Sequence, residues 1–397
     1  MNRKEWILML LLSSVNFSHI LDFMIMMPLG NGLMHNLHIN AQEFSLLVTS
    51  YVFSAALASI SASFFIDKFD RKNALIFAYI GFILGTLACA FADTYATLIT
   101  ARIVAGLFGG LIGAQGQSIV ADYFTYERRA TAMGILMAGF SVASVAGVPI
   151  ALKLSTMYNW HAPFFMVVAL GCVIIPLLIL YIPRMTGHLQ KANQKQSPFI
   201  VIQNVIKNRN QRKAMLLTFA VQASHFSIVP FIAPSLESNV GLSKDEVSLT
   251  YFFGGIFTFF LSPMVGKIAD KKGKLPVYIV FACLAALVLY VFTNLVPSPL
   301  WIIYVVTTLF FISSTGRFVP MQAMVTSVVS PQQRGGFMNL NAFVSQVASG
   351  FGAMLAGFIV VKQSDGTLLH YDYVGYFAII LCLASVFLAT RIKQEVV

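Results

Sequence analysis

Twelve apolar runs, each long enough to cross a bilayer as a helix, follow one another along this chain with short polar breaks between them. A hydrocarbon core about 30 Å thick takes about 20 helical residues to cross. Inside it every backbone N–H and C=O must find a partner, which leaves helices or a closed barrel. The runs fall near residues 6–30, 44–65, 74–92, 96–121, 130–153, 161–183, 213–236, 247–265, 276–295, 299–327, 335–361 and 372–390. With 58% hydrophobic and 10% charged residues, the 397-residue chain cannot clothe itself in a water-facing surface. The fold class expected is an all-α membrane protein.

A net charge of +11 raises the question of nucleic acid, and the distribution of the charge argues against it. Of 26 Lys and Arg, all but five (Arg102, Lys153, Lys244, Arg317 and Lys362) lie at the termini or in alternate loops. That asymmetry places both termini in the cytoplasm, with attraction to anionic lipid as a secondary effect. The opening Arg3-Lys4 and apolar run imitate a signal peptide, yet the run is long and reaches Asp22 and Pro28 without a small-residue cleavage site, so it is taken as a retained first helix. Cys89, Cys172, Cys283 and Cys382 each sit alone in an apolar span and are expected to be packing residues, not metal ligands or disulfides.

The chain also repeats itself. A shift of 203 residues places Asn36 on Asn239, Glu43 on Glu246, Ser45 on Ser248 and Asp67 on Asp270, so a polar start, an apolar span and an Asp-basic turn recur in register. Between the copies, Arg184 to Lys213 carries seven basic residues and no acid. The expected organisation is a six-helix bundle over 1–183, a basic cytoplasmic linker over 184–212 and a second six-helix bundle over 213–397. Within the linker, 199–206 has the pattern of an amphipathic helix on the inner leaflet, or of a plain tether. A duplicated bundle is expected to bind its cargo between the halves.

Polar residues inside the spans are costly, about 2.5 to 3.5 kcal/mol for a carboxylate at mid-helix, and therefore informative. Asp22 is the sharpest of them, following Asn16 and His19 on one stripe of the first span. The 203-residue shift puts Gln222 under His19 and His225 under Asp22, giving the seventh span a matching stripe. Arg102 stands at a depth that permits an ion pair with Asp22. A cavity that alternately wets and dries would change the protonation of such a carboxylate, coupling a proton to a substrate; the plainer alternative is a static ion pair. Arg317 has no evident acidic partner, and either faces an anionic substrate group or is satisfied by carbonyls freed near Pro320 or by snorkelling. Gln117, Gln322, Asn339, Asn341 and Gln346 add hydrogen-bonding groups that line a cavity or hold helices together. Pro28, Pro149, Pro230, Pro234 and Pro320 are expected to break or bend their helices.

The turn Asp67-Lys68-x-x-Arg71-Lys72, the run Arg102-Ile-Val-Ala-Gly106 and the stretch from Gly139 through Gly147-Val148-Pro149 make the chain resemble the major facilitator superfamily over essentially its full length. Asp67-Lys68-x-x-Arg71-Lys72 is similar to that family's motif A, with Asp270 to Lys274 as its second copy. Arg102-Ile-Val-Ala-Gly106 is similar to motif B, and Gly139 through Gly147-Val148-Pro149 to motif C, an antiporter signature. Ser63 and Asp70 stand where motif A usually has glycine, and Gly-Val-Pro replaces the commoner Gly-Pro order, as in bacterial sugar-efflux-like and drug-efflux-like members. The resemblance implies twelve helices in two pseudo-symmetric bundles, first and seventh spans facing a central cavity, and a monomer.

It also implies a cytoplasmic gate. Asp67 would cap the eleventh span near Gly335-Gly336, and Asp270 the fifth near Ala130, amid Arg71, Lys72, Lys274, Arg129 and Arg334. Gly147 and Pro149 join this set of conformational residues.

The function expected is a proton-coupled secondary transporter of the bacterial inner membrane, exporting a small amphipathic molecule by antiport and alternating access. Proton coupling falls to Asp22, His19, Arg102 and His225, and substrate binding to Asp22, Gln222, His225, Arg317, Asn339, Asn341 and Gln346. No phosphate-binding glycine loop is present, so the proton gradient, without a cofactor, drives the cycle. One alternative is a carrier of an organic anion, sugar or siderophore-like metabolite. A membrane-embedded enzyme using Asp22, His19 and His225 is weaker, because no nucleophile or metal-ligand cluster accompanies them.

Overall fold

A computed structural model of the chain describes residues 2–62, 69–124, 132, 135–136, 139–140, 142–185, 203, 205–329, 334–364 and 366–392. Eleven helices among them are long and apolar enough to span a membrane, joined by a shorter apolar helix over Ala143–Met157. In chain order the helices are α1 (Arg3–Ile25), α2 (Gly30–Asn36), α3 (Ala41–Ala62), α4 (Arg71–Ala90), α5 (Tyr95–Tyr123), α6 (Val148–Met157) and α7 (Ala162–Tyr181). There follow α8 (Arg209–Ile228), α9 (Ile232–Ser238), α10 (Lys244–Lys272), α11 (Lys274–Thr293), α12 (Leu300–Thr326), α13 (Arg334–Ile359) and α14 (Tyr371–Thr390). A two-stranded hairpin, β1 (Val361–Lys362) and β2 (Leu368–Leu369), lies between α13 and α14. The amphipathic segment expected at 199–206 falls largely outside the described residues.

The internal repeat is written in the helix boundaries. Ile25 and Ile228 end α1 and α8, Ala41 and Lys244 begin α3 and α10, Arg71 and Lys274 begin α4 and α11, and Ala90 and Thr293 end them; each pair is 203 residues apart. Local chemistry repeats with them. Asn40 Oδ1 accepts from Glu43 N while Glu43 Oε2 accepts from Asn40 N, both at 2.9 Å. Ser243 and Glu246 make the same reciprocal cap for α10.

The first and seventh apolar runs each break in two, because Pro28 and Pro230 lack the N–H that a continuing helix would use. A 3₁₀ turn, Val229–Phe231, joins α8 to α9. Ahead of Pro149 the chain forms a π turn over Ala143–Gly147, with Val148 N–H reaching back to Ala143 O. By contrast α12 runs through Pro320 without interruption, as membrane helices can where neighbours satisfy the freed carbonyl.

Packing divides the chain into two compact units. The first comprises Met1–Met26 and Ser50–Ser197, the second Met27–Thr49 and Pro198–Val397. The division by packing therefore departs from a division at the linker in one segment, Met27–Thr49, which joins the second unit. In the first unit α4 packs along α5, and α7 lies against α4 and α1. Gly106 and Gly110 bring α5 onto α3: a Cβ at Gly106 would strike Ser54 Oγ and Tyr51 O, and one at Gly110 would strike Ala55 O. In the second unit α8 packs against α13 and α14, and α12 against α10 and α11.

Candidate functional site

The first unit holds a fully buried ion pair. Arg102 Nη1 on α5 donates to Asp22 Oδ2 on α1 at 2.8 Å, and both side chains are 0% exposed. Thr86 Oγ1 on α4 donates to the other oxygen, Oδ1, at 3.1 Å. Three helices thus converge on one carboxylate. The guanidinium carbon lies 4.2 Å from the centre of the Tyr51 ring, a cation–π contact, and Phe23 stacks on Tyr51 at 5.7 Å. Tyr51 reaches this place because Gly106 lets α3 approach α5, and because Gly109 leaves space that a Cβ would occupy 2.5 Å from Tyr51 Oη and 3.1 Å from His19 Nε2.

Around the pair, hydrogen bonding is incomplete. Arg102 Nε and Nη2, Tyr51 Oη and His19 Nδ1 are all buried without a hydrogen-bond partner. An Arg presents five N–H donors, so a guanidinium using one nitrogen on Asp22 keeps an unfilled edge for another acceptor. A buried ion pair gives little net stability, since desolvation offsets its attraction. Stability alone does not explain a half-satisfied cluster of this kind.

The stripe on α1 faces several neighbours. Asn16 Nδ2 donates to Leu136 O at 2.9 Å, His19 packs edge-on against Phe82 at 5.7 Å, and Asp22 meets Thr86 and Arg102. Gly147 presses on the same helix, where a Cβ would come 2.7 Å from Leu21 Cδ1; Pro149 follows it on α6.

In the second unit the matching stripe is bonded as well. Gln222 Nε2 donates to Ser345 Oγ at 2.5 Å, and His225 Nδ1 lies 3.3 Å from Ser314 Oγ with its ring stacked on Phe310. Thr218 Oγ1 donates to Asn341 Oδ1 at 2.7 Å, whereas Asn339 and Gln117 are exposed and Gln346 and Gln322 half-buried. Arg317 is 1% exposed, so it does not snorkel. Its Nη1 donates to Ser224 Oγ at 3.4 Å and to Cys382 Sγ at 3.2 Å, and among the described residues no carboxylate pairs with it.

Of the gate residues, Asp67 and Arg129 lie outside the described residues. Arg71 Nε pairs with Asp122 Oδ2 at 3.0 Å, and Lys72 Nζ donates to Ile179 O at 2.7 Å. Asp70 caps α4, accepting from Lys72 N at 2.7 Å. Asp270 is exposed and Lys274 half-buried at the junction of α10 and α11, where Gly273 takes φ 92°. Thr86 and Tyr51 carry no signal in the sequence, being ordinary residues of apolar spans.

Long apolar helices in a duplicated register, with a buried carboxylate–guanidinium pair among them, define a multi-pass membrane transporter of the secondary type. The chain belongs to the Major Facilitator Superfamily, whose family model matches residues 12–317 and 214–395. It is 22% identical over 377 residues to the uncharacterized MFS-type transporter YceJ of Bacillus subtilis (strain 168), covering 94% of this chain and 93% of that protein. It is 24% identical over 346 residues to a probable sugar efflux transporter of Helicobacter pylori (strain P12), covering 86% and 84%. In fold it is similar to a bacterial homolog of the human lysosomal transporter Spinster, solved in an inward-facing and occupied conformation. That match has a TM-score of 0.79 at 16% identity and covers 100% and 99% of the two chains.

Proposed function

We propose that this transporter is a proton-coupled exporter of the bacterial inner membrane, with both termini cytoplasmic and Asp22–Arg102 as its coupling pair. The observation that carries the reading is the pair itself, buried with both carboxylate oxygens engaged and part of the guanidinium unfilled. Protonating Asp22 cancels its charge and leaves Arg102 buried without a counter-ion, a state that costs several kcal/mol in a low-dielectric interior. Water entry or a substrate acceptor relieves that cost, so the protonated and ionised forms favour different conformations. His19 and Tyr51 border Arg102 and supply the next polar groups. His225, Gln222 and Asn341 give the second unit hydrogen-bonding groups for a small amphipathic cargo. Arg317, buried beside His225, adds a positive charge to this set.

A second reading, export of a sugar, draws on the Helicobacter pylori relatives and on the neutral amide and hydroxyl groups of the second unit. Accumulation of sugars, cationic dyes and organic anions in efflux-deficient bacteria tests both. Lower accumulation with the wild type, lost on collapsing the proton gradient and lost with Asp22→Asn, supports coupled export and identifies the cargo class. An effect that survives both treatments contradicts the role given to Asp22.

A further inference from the structure

The second unit holds another inward-set carboxylate, remote from Asp22. Glu237, in the last turn of α9, accepts through Oε2 from Asn31 Nδ2 on α2 at 3.1 Å. Its other oxygen, Oε1, is buried without a hydrogen-bond partner. The carbonyl oxygen of the same Asn31 side chain accepts from Lys362 Nζ on β1 at 3.4 Å. The amide is thus held between an anion and a cation, its donor end toward one and its acceptor end toward the other. Lys362 is itself fixed: two residues past Glu237, Asn239 accepts from Leu368 N at 2.8 Å and donates to Leu368 O at 2.9 Å, clamping the strand paired with β1.

Among the described residues, the charged and titratable groups facing Glu237 are Lys362 on β1 and Lys244 at the start of α10, with Tyr251 of α10 nearby. The Tyr251 hydroxyl is buried and likewise without a hydrogen-bond partner. Burial holds the Lys362 ammonium below its ordinary range, and the Glu237 carboxylate pulls it partly back. Neutral contacts also dock Met27–Thr49. Ser45 Oγ donates to Ala353 O at 2.6 Å, Phe44 meets Phe231 edge to face at 5.8 Å, and Gly30 lies where a Cβ would come 2.9 Å from Pro234 Cγ.

We propose that Glu237 is a second proton-binding site, whose ionised form latches the segment Met27–Thr49 onto α9 and the hairpin and whose protonation releases it. The ionised carboxylate takes a charge-assisted hydrogen bond from Asn31 and attracts Lys362 and Lys244; the protonated form keeps at most a neutral hydrogen bond and loses the attraction to both lysines. Acid therefore weakens the latch. Lys244 and Lys362 belong to the sparsely basic side of the chain, opposite the cytoplasmic loops, so the proton arrives from outside. The latch rests on the transporter reading for its purpose and for the side from which the proton comes, and its response to protons is measurable without substrate and without Asp22.

Spin labels at His35→Cys and Ser364→Cys, both exposed positions, with Cys172 and Cys283 replaced by serine, report the separation of α2 from the hairpin. The full chain in lipid nanodiscs is measured by pulsed electron spin resonance from pH 8 to pH 5. The ratio of short to long distances falls about fivefold with acid, the difference between a charge-assisted and a neutral hydrogen bond. Glu237→Gln holds that ratio at its acid value at every pH, and Asp22→Asn leaves the wild-type response intact. Should Glu237→Gln not fold, Lys362→Met moves the midpoint to higher pH by removing the cation that favours the ionised carboxylate. An unchanged response in Glu237→Gln or an unmoved midpoint in Lys362→Met overturns the latch, as does loss of the response in Asp22→Asn.

Discussion

At the scale of single residues, the molecule is governed by the cost of charge in hydrocarbon. Asp22 and Arg102 neutralise each other, so removing one strands the charge of the other. Arg102→Ala is expected to lower stability by about 3–5 kcal/mol. The double variant Asp22→Asn with Arg102→Met is expected to recover most of that loss, read as melting temperatures in detergent; equal losses in single and double variants would show that the pair is not the source. Tyr51→Phe deletes a buried hydroxyl that has no hydrogen-bond partner, so it should be neutral or slightly stabilising, within about 1 kcal/mol. If that hydroxyl serves the cargo or the proton, the same variant exports more slowly. Unaltered export would remove Tyr51 from the site.

This scale is also where the sequence is most uneven as a guide. Asp22 and Arg102 stand out because an intramembrane charge is conspicuous in any apolar run. Thr86 and Tyr51 complete the cluster invisibly, since their types are common in such runs and only the approach of α3 to α5 brings Tyr51 in. Glu237 sits near the end of its span, where a carboxylate reads as interfacial, and its link to Asn31 depends on a contact across 206 residues.

At the scale of elements, the 203-residue register predicted from a handful of polar positions reappears in helix ends set by caps and prolines. Glu43 and Glu246 match because each closes a reciprocal cap, a local interaction that sequence spacing encodes. The breaks in the first and seventh runs are legible from Pro28 and Pro230, not from hydropathy, which does not register a missing N–H donor. Gly106 is the element-scale contact with the clearest consequence. Gly106→Val would force α5 from α3, costing about 1–3 kcal/mol in overpacking and dislodging Tyr51 from Arg102. The expected outcome is a lower melting temperature with export reduced more than expression; a variant with normal export would mean that the α3–α5 spacing does not set the site.

At the scale of the whole molecule, two compact units carry different chemistry. The first holds the buried Asp22–Arg102 pair, and the second offers amides, hydroxyls and imidazole from α8, α12 and α13 beside the buried Arg317. The proposed coupling pair implies a division of labour, in which protons would act chiefly through the first unit and cargo would be recognised largely by the second. Gln222→Ala is therefore expected to alter which compounds are exported, or their apparent affinity, while preserving the dependence on the proton gradient. Loss of that dependence in Gln222→Ala would contradict the division.

The most direct measurement is proton movement in liposomes containing the purified protein, a trapped pH dye and whichever compound the accumulation panel identifies as cargo. With the wild type, a gradient of that compound should drive protons in the opposite direction, and an imposed pH gradient should drive the compound uphill. Asp22→Asn should retain downhill movement of the compound without any accompanying proton flux. Proton flux of wild-type size through Asp22→Asn, or wild-type transport indifferent to the pH gradient, would contradict the assignment of Asp22 and Arg102 as the coupling pair.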